Sequence, residues 1–345
     1  MTHVPSPKSP QDEPQSLTPQ QSSTFQFLIS NEFGLIALIV LFAIVFGVMT
    51  SGFLTPFSLF TLGRTAAINM MIGLSMMVVI ATGGLNLALG AIGVSAAMFF
   101  GFLVQVAGLP WPLAIVGSLG LGAALGFING WVVVRSGLHS FIITLATMSI
   151  FFGAMIFLTH AESYREMPAA FGMVGRMKIA TIISPLMIVT VVVALALMWL
   201  YRFTALGREM LAAGANADAA KLSGIRVDRV FIICHMLSGL IAGIAALMLT
   251  ARNGAAIPSM AGQLGQDWLL PAFLGPVLGG SLLNGGKVSV LGTCLGAFLV
   301  TMLTTGLLLL QVGEFWIQSF LGLLLLIAVL IDLARRNLLA RGNYA

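Results

Sequence analysis

Ten long apolar runs, separated by short polar or glycine-rich breaks, fill most of the chain beyond residue 33. They lie at roughly 34–54, 66–82, 91–108, 113–134, 141–159, 182–201, 230–250, 268–284, 288–310 and 315–333. A helix that crosses a bilayer needs about 20 such residues. The pattern therefore predicts an all-α polytopic membrane protein with about ten transmembrane helices over 34–333. The second run is short, and the eighth carries Pro271 and Pro276. Residues 1–33 have the opposite character, with Pro5, Pro7, Pro10, Pro14 and Pro19 among Ser and Gln. Such a stretch buries too little to order itself, so a disordered cytoplasmic tail is expected. It lacks the charge pattern and cleavage site of a signal peptide, so 34–54 is expected to persist as a membrane helix. Residues 334–345 read as a second cytoplasmic tail.

Composition agrees. Of 345 residues, 59% are hydrophobic and 8% charged, against roughly 25% charged in an ordinary globular protein. Mean hydropathy is +1.04. Too few charges exist to cover a soluble surface, and disulfide-rich or nucleic-acid-binding classes are excluded. Cys234 and Cys294 both fall inside apolar runs. Lys+Arg number 16 and Asp+Glu 11, and the excess sits in loops and tails. With the N-terminus inside, eleven basic residues fall on the cytoplasmic side (Lys8, Arg135, Arg202, Arg208, Lys221, Arg226, Arg229, Lys287, Arg335, Arg336, Arg341). Five fall outside (Arg64, Arg165, Arg176, Lys178, Arg252). This asymmetry predicts that both termini are cytoplasmic.

Chemistry is sparse. His3, His139, His160 and His235 show no metal-ligand spacing, and neither Cys-x-x-Cys nor His-Glu-x-x-His occurs. No nucleophile elbow exists, and the stretch from Gly280 to Lys287 fails as a phosphate loop because Val288 follows the lysine. No catalytic residue, metal site or cofactor is expected. Ionisable residues are nearly absent from the runs: Asp267, Glu314 and Asp332 lie at their ends, and His235 alone lies inside. That weakens an ion-coupled secondary transporter of a small polar solute, the alternative reading, because such carriers hold ionisable groups at membrane depth. A membrane-embedded enzyme would need a clustered acid, base or metal site, which is not visible. An external energy source fits better.

The charged segment 202–229, between the sixth and seventh runs, predicts a short cytoplasmic helix. Asn216 suits its N-cap, Asp218 its first turn, Lys221 its last, and Gly224 a left-handed terminus. Ala219 and Ala220 form a small-residue face that a partner could approach closely. The competing reading is an ordinary helical loop on the membrane surface.

Asp218-Ala219-Ala220-Lys221-Leu222-Ser223-Gly224 resembles the Glu-Ala-Ala…Gly coupling-helix motif of ABC importer permeases, with Asp for Glu. The wider stretch from Thr204 to Ile225 is similar to the sugar-import permeases of the ribose, xylose and arabinose type. Gly83-Gly84-Leu85-Asn86-Leu87-Ala88-Leu89-Gly90, Phe141-Ile142-Ile143-Thr144-Leu145 and Leu278-Gly279-Gly280-Ser281 through Gly292-Thr293 resemble further motifs of that family, in order. Asn86 stands where the family commonly has Asp, and His139-Ser140 where it has Pro-Pro. The resemblance implies a type II importer-like, non-catalytic permease subunit in a bacterial cytoplasmic membrane. It implies a second permease subunit, a cytoplasmic ATPase that supplies the missing nucleotide site, and a periplasmic or extracellular sugar-binding protein. Gly214, Asn216, Asp218, Ala219, Ala220 and Gly224 become candidates for ATPase coupling.

Polar residues in apolar runs are candidates for a neutral solute's pathway: Asn69, Asn86, Asn129 and Thr144. Asn86 leads, because its glycine-rich surroundings could break the helix at membrane depth, which is tolerated only beside a cavity or inside protein. The competing reading for each is hydrogen bonding between helices. Residues 83–90 also resemble 279–286, as an internal repeat would.

Overall fold

The computed structural model describes residues 31–179 and 182–342, so the expected tail falls, apart from its last three residues, outside the described residues. Among these the chain is helical, with only isolated β-bridges and no strand. The helices are α1 (Asn31–Met49), α2 (Pro56–Ile80), α3 (Leu89–Gln105), α4 (Trp111–Ser136), α5 (Ser140–Thr159), α6 (Ala169–Arg176) and α7 (Pro185–Phe203). They continue with α8 (Ala205–Ala215), α9 (Ala217–Leu222), α10 (Val227–Asn253), α11 (Leu269–Leu278), α12 (Val290–Leu309) and α13 (Glu314–Gly342). Each of the ten apolar runs coincides with a helix. Seven helices among the described residues are long and apolar enough to cross a membrane.

Two runs differ from their expected extents. The second is a full span of 25 residues, begun by Pro56 at N1 and by the Thr55 hydroxyl accepting the Ser58 N–H. Its polar first half, Ser58, Thr61, Arg64 and Thr65, hides it from a hydropathy reading. The eighth is only 10 residues, about 15 Å of helix and half a bilayer core. The chain reaches it through a 3₁₀ turn (Gln263–Trp268) with left-handed Leu264 and Gly265. Gly265 lies against Gly90 at the start of α3.

Helix α2 is the hub: 78% of its apolar window is buried, against 11% for α1 and 22% for α4 and α7. It packs on α10, α11 and α12, while α10 runs along α4 and α3. The α4/α10 seam is built from Gly122, Gly126, Gly130, Gly239 and Gly243. A Cβ at Gly126 would strike the His235 carbonyl, and one at Gly239 would strike that of Gly122. Small residues let the backbones meet where no hydrophobic effect drives helices together. The outer helices leave Val48, Phe157, Leu158 and Trp199 exposed, as suits a lipid-facing ring. Helix α13 continues through the region read as a C-terminal tail, to Gly342.

Candidate functional site

The candidate coupling segment has the helix start and stop expected from its sequence. Asn216 is extended (φ −159°, ψ 104°), and its Oδ1 accepts from the N–H of Asp218 at 3.1 Å and of Ala219 at 3.0 Å. At the other end Gly224 is left-handed, with φ 84°. The Gly224 N–H donates to the Lys221 carbonyl and that of Ile225 to the Ala220 carbonyl, both at 3.0 Å. These are the two bonds of a Schellman terminus. Between these caps Ala220 is buried, while Asp218, Ala219 and Lys221 face out. Leu222, which the sequence reading passed over, is 91% exposed. Beside it a cleft of about 500 Å³ opens between α8 and the start of α10, lined by Glu209, Ser223, Arg226 and Arg229 among others.

Gly214 stands apart from the exposed set and points inward. A Cβ there would strike the Ala81 carbonyl and lie 2.6 Å from the Gly286 nitrogen. The two segments that resemble one another in sequence meet at this point. The Gly286 N–H donates to the Ala81 carbonyl at 3.1 Å. A Cβ on Gly83 would lie 2.8 Å from the Asn284 oxygen, and one on Gly285 2.6 Å from the Gly83 nitrogen. Gly83, Gly280, Gly285 and Gly286 all have positive φ. The C-terminus of α8 is thus wedged, backbone to backbone, against the turns that follow α2 and α11.

Beyond Gly83 the chain stays non-helical to Ala88, and the pathway candidates gather there. Asn86, fully buried, donates from Nδ2 to Ser238 Oγ at 2.9 Å. Its Oδ1 faces Asn129 Nδ2 at 3.5 Å. Ser238 Oγ is 3.0 Å from Ser75 Oγ, so α2, α4 and α10 share one polar network with the break. Thr144 Oγ1 accepts the Leu87 N–H at 3.1 Å and donates to the Ser140 carbonyl at 2.8 Å. Ser140, also absent from the expected set, accepts the Leu85 N–H at 2.8 Å. Asn129 Oδ1 and His235 Nε2 are buried without partners. Asn69 is elsewhere, donating to Thr301 Oγ1 at 2.9 Å between α2 and α12. Three of the four candidates therefore surround one helix break, and the fourth joins two other helices. Among the described residues no group of three His, Cys, Asp or Glu could hold a metal ion.

Residues 58–330 match the family described as "Branched-chain amino acid transport system / permease component". Over 293 residues the chain is 35% identical to the ribose import permease protein RbsC of Bacillus subtilis, covering 84% of this chain and 88% of that one. The fructose import permease protein FrcC of Rhizobium meliloti is 33% identical over 304 residues, 85% of this chain and 83% of its own length. The D-allose transport system permease protein AlsC of Escherichia coli is 30% identical over 315 residues, 90% of this chain and 95% of its own length. No solved structure matches the chain.

Proposed function

This chain belongs to the family of permease components of branched-chain amino acid transport systems, and we propose from that premise that it is the pore-forming permease of an ATP-driven importer of a monosaccharide. The observation that carries the substrate class is the match over most of the chain to permeases named for ribose, fructose and allose. The subunit is non-catalytic. A cytoplasmic ATPase, a solute-binding protein and a second permease subunit, identical or homologous, complete the transporter in a bacterial cytoplasmic membrane. No observation favours ion coupling.

In this reading α9 docks the ATPase through Asp218, Ala219 and Leu222, with Asn216 and Gly224 fixing its ends. The fully exposed face offers contact area, and the Glu209–Arg229 cleft beside it offers charge. Gly214 then carries movement of α8 inward. Because its neighbours are backbone atoms rather than flexible side chains, a shift of α8 displaces the turns at 81–86 and 281–286 together. Asn86, three residues past Gly83, is the first polar group that such a shift reaches. Closing and opening the break around Asn86, Asn129 and Thr144 is the two-state step that ATP would bias.

The test is reconstitution of the chain with its ATPase and binding protein in liposomes, followed by uptake of labelled ribose, fructose and allose. ATP-dependent uptake that survives an uncoupler is expected. Uptake that proceeds without the ATPase and collapses with the uncoupler would return the ion-coupled reading.

A further inference from the structure

Toward the ends of α2 and α10 remote from α9, four cations lie together, and among the described residues none is paired with a carboxylate. Arg64, on α2, donates from Nη1 to the Gly175 carbonyl at 3.3 Å, and its Nε is buried without a partner. Arg252, in the last turn of α10, is half-buried, and its backbone packs against Gly175, the residue whose carbonyl Arg64 holds: a Cβ on Gly175 would lie 2.6 Å from the Arg252 nitrogen. The Arg176 guanidinium lies over Gly254, two residues further on. Lys178 Nζ stands 5.2 Å from the Phe60 ring centroid, and Arg64 Cζ 5.3 Å from the same centroid. No ion pair joins any of the four to an acid among the described residues. Arg64 and Arg252 are half-buried, and Arg176 and Lys178 are exposed at their edge. Like charges gathered without a counter-charge repel one another, and an anion among them offsets that repulsion.

The surroundings say which anion. Phe57 is 71% exposed beside Lys178, and Leu54, Met177 and Ile183 are exposed nearby. Cations set in exposed apolar and aromatic surface, at one end of membrane-spanning helices, describe a headgroup-level site. We propose that Arg64, Arg176, Lys178 and Arg252 hold the phosphate of an anionic phospholipid whose chains lie on this apolar rim. A free phosphate offers the same charge but leaves the rim unused. An acidic protein docking from water would bury the charges but not require the rim.

The experiment uses the full chain in phosphatidylcholine nanodiscs with and without phosphatidylglycerol, read by native mass spectrometry and thermal unfolding. The parent should retain phosphatidylglycerol and unfold at a higher temperature with it. Each cation removed should weaken retention about five-fold. The double variant Arg64→Gln/Arg252→Gln should therefore lose about 25-fold, while Arg202→Gln at the other face changes nothing. Lys178→Gln, at an exposed position, should show its about five-fold loss even if the double variant does not fold. Undiminished lipid retention by Lys178→Gln and the double variant would overturn the proposal. So would inorganic phosphate that raises the unfolding temperature as far as the lipid does, or variants that keep lipid and lose only capture of an acidic solute-binding protein.

Discussion

At the scale of single residues, glycine sorts the coupling segment into two classes. Gly224 and Gly214 look alike in sequence, yet a Cβ at Gly224 meets nothing within 4 Å, while one at Gly214 meets the Ala81 and Gly286 backbones. Gly224→Ala should cost only the left-handed strain, about 1 kcal/mol. Gly214→Ala has no side chain to push aside and should cost at least about 2 kcal/mol, or abolish uptake where it folds. Thermal unfolding and ATP-driven uptake of both variants separate the classes, and equal behaviour would remove Gly214 from the coupling path. Asn86 presents a different balance. Asn86→Leu orphans Asn129 Nδ2, a buried polar group whose loss of its partner costs about 1–3 kcal/mol, and takes one of two side-chain partners from Ser238, which keeps Ser75. The variant is expected to insert, bind ATPase and lose most uptake. Normal uptake would reduce Asn86 to a packing residue.

At the scale of elements, α9 is six residues long and would not be stable in isolation. Its caps hold it, and its exposed face is free for a partner. Ala219→Arg should abolish co-purification of the ATPase at unchanged membrane expression, and Leu222→Ala should weaken it by about ten-fold if the side chain fills a pocket. Asp218→Asn should be mild, since it removes only a charge–dipole interaction of at most about 1 kcal/mol. Retention of ATPase by Ala219→Arg would show that this helix is not the docking element. Both ends of α9 were legible in the sequence because capping is local: Asn216 and Gly224 act within four residues of themselves. The lengths of α2 and α11 were not legible. Hydropathy reports what each residue would do facing lipid, whereas the polar start of α2 is tied down by Thr55 and by the Arg64–Gly175 bond. Pro276 inside α11 gave warning of irregularity but no measure of its extent. The gathering of Asn86, Asn129 and Thr144 depends on contacts 43 and 57 residues apart, which no local pattern carries. Leu222 was missed because an apolar residue at the end of a short helix reads as a core position until its exposure is seen.

At the scale of the molecule, the packing supplies a topology argument that does not depend on counting charges. One face is marked by α9 together with the end of α2, since Gly214 meets Ala81 there. The turns at 281–286 lie on the same face, and α12 starts from it three residues past Lys287. Ser289, the N-cap of α12, donates to Glu32 Oε1 at 2.9 Å, so α1 also starts there. Helix α12 ends at Leu309 on the far side, and α13 returns alongside α11 and α12. The described ends of the chain thus lie on the coupling face, where basic residues are in excess by eleven to five on the sequence reading. With α9 docking the ATPase as proposed, this face is cytoplasmic, and both termini are expected inside. The segment 160–181 follows α5 at its far end, and Tyr164 bridges there to Ala256 beyond α10. Reporter fusions at Ala345 and within 160–181 should therefore report opposite sides of the membrane. Fusions reporting the same side would require a different number of crossings, and the half-length α11 with its 3₁₀ entry is where that error would lie.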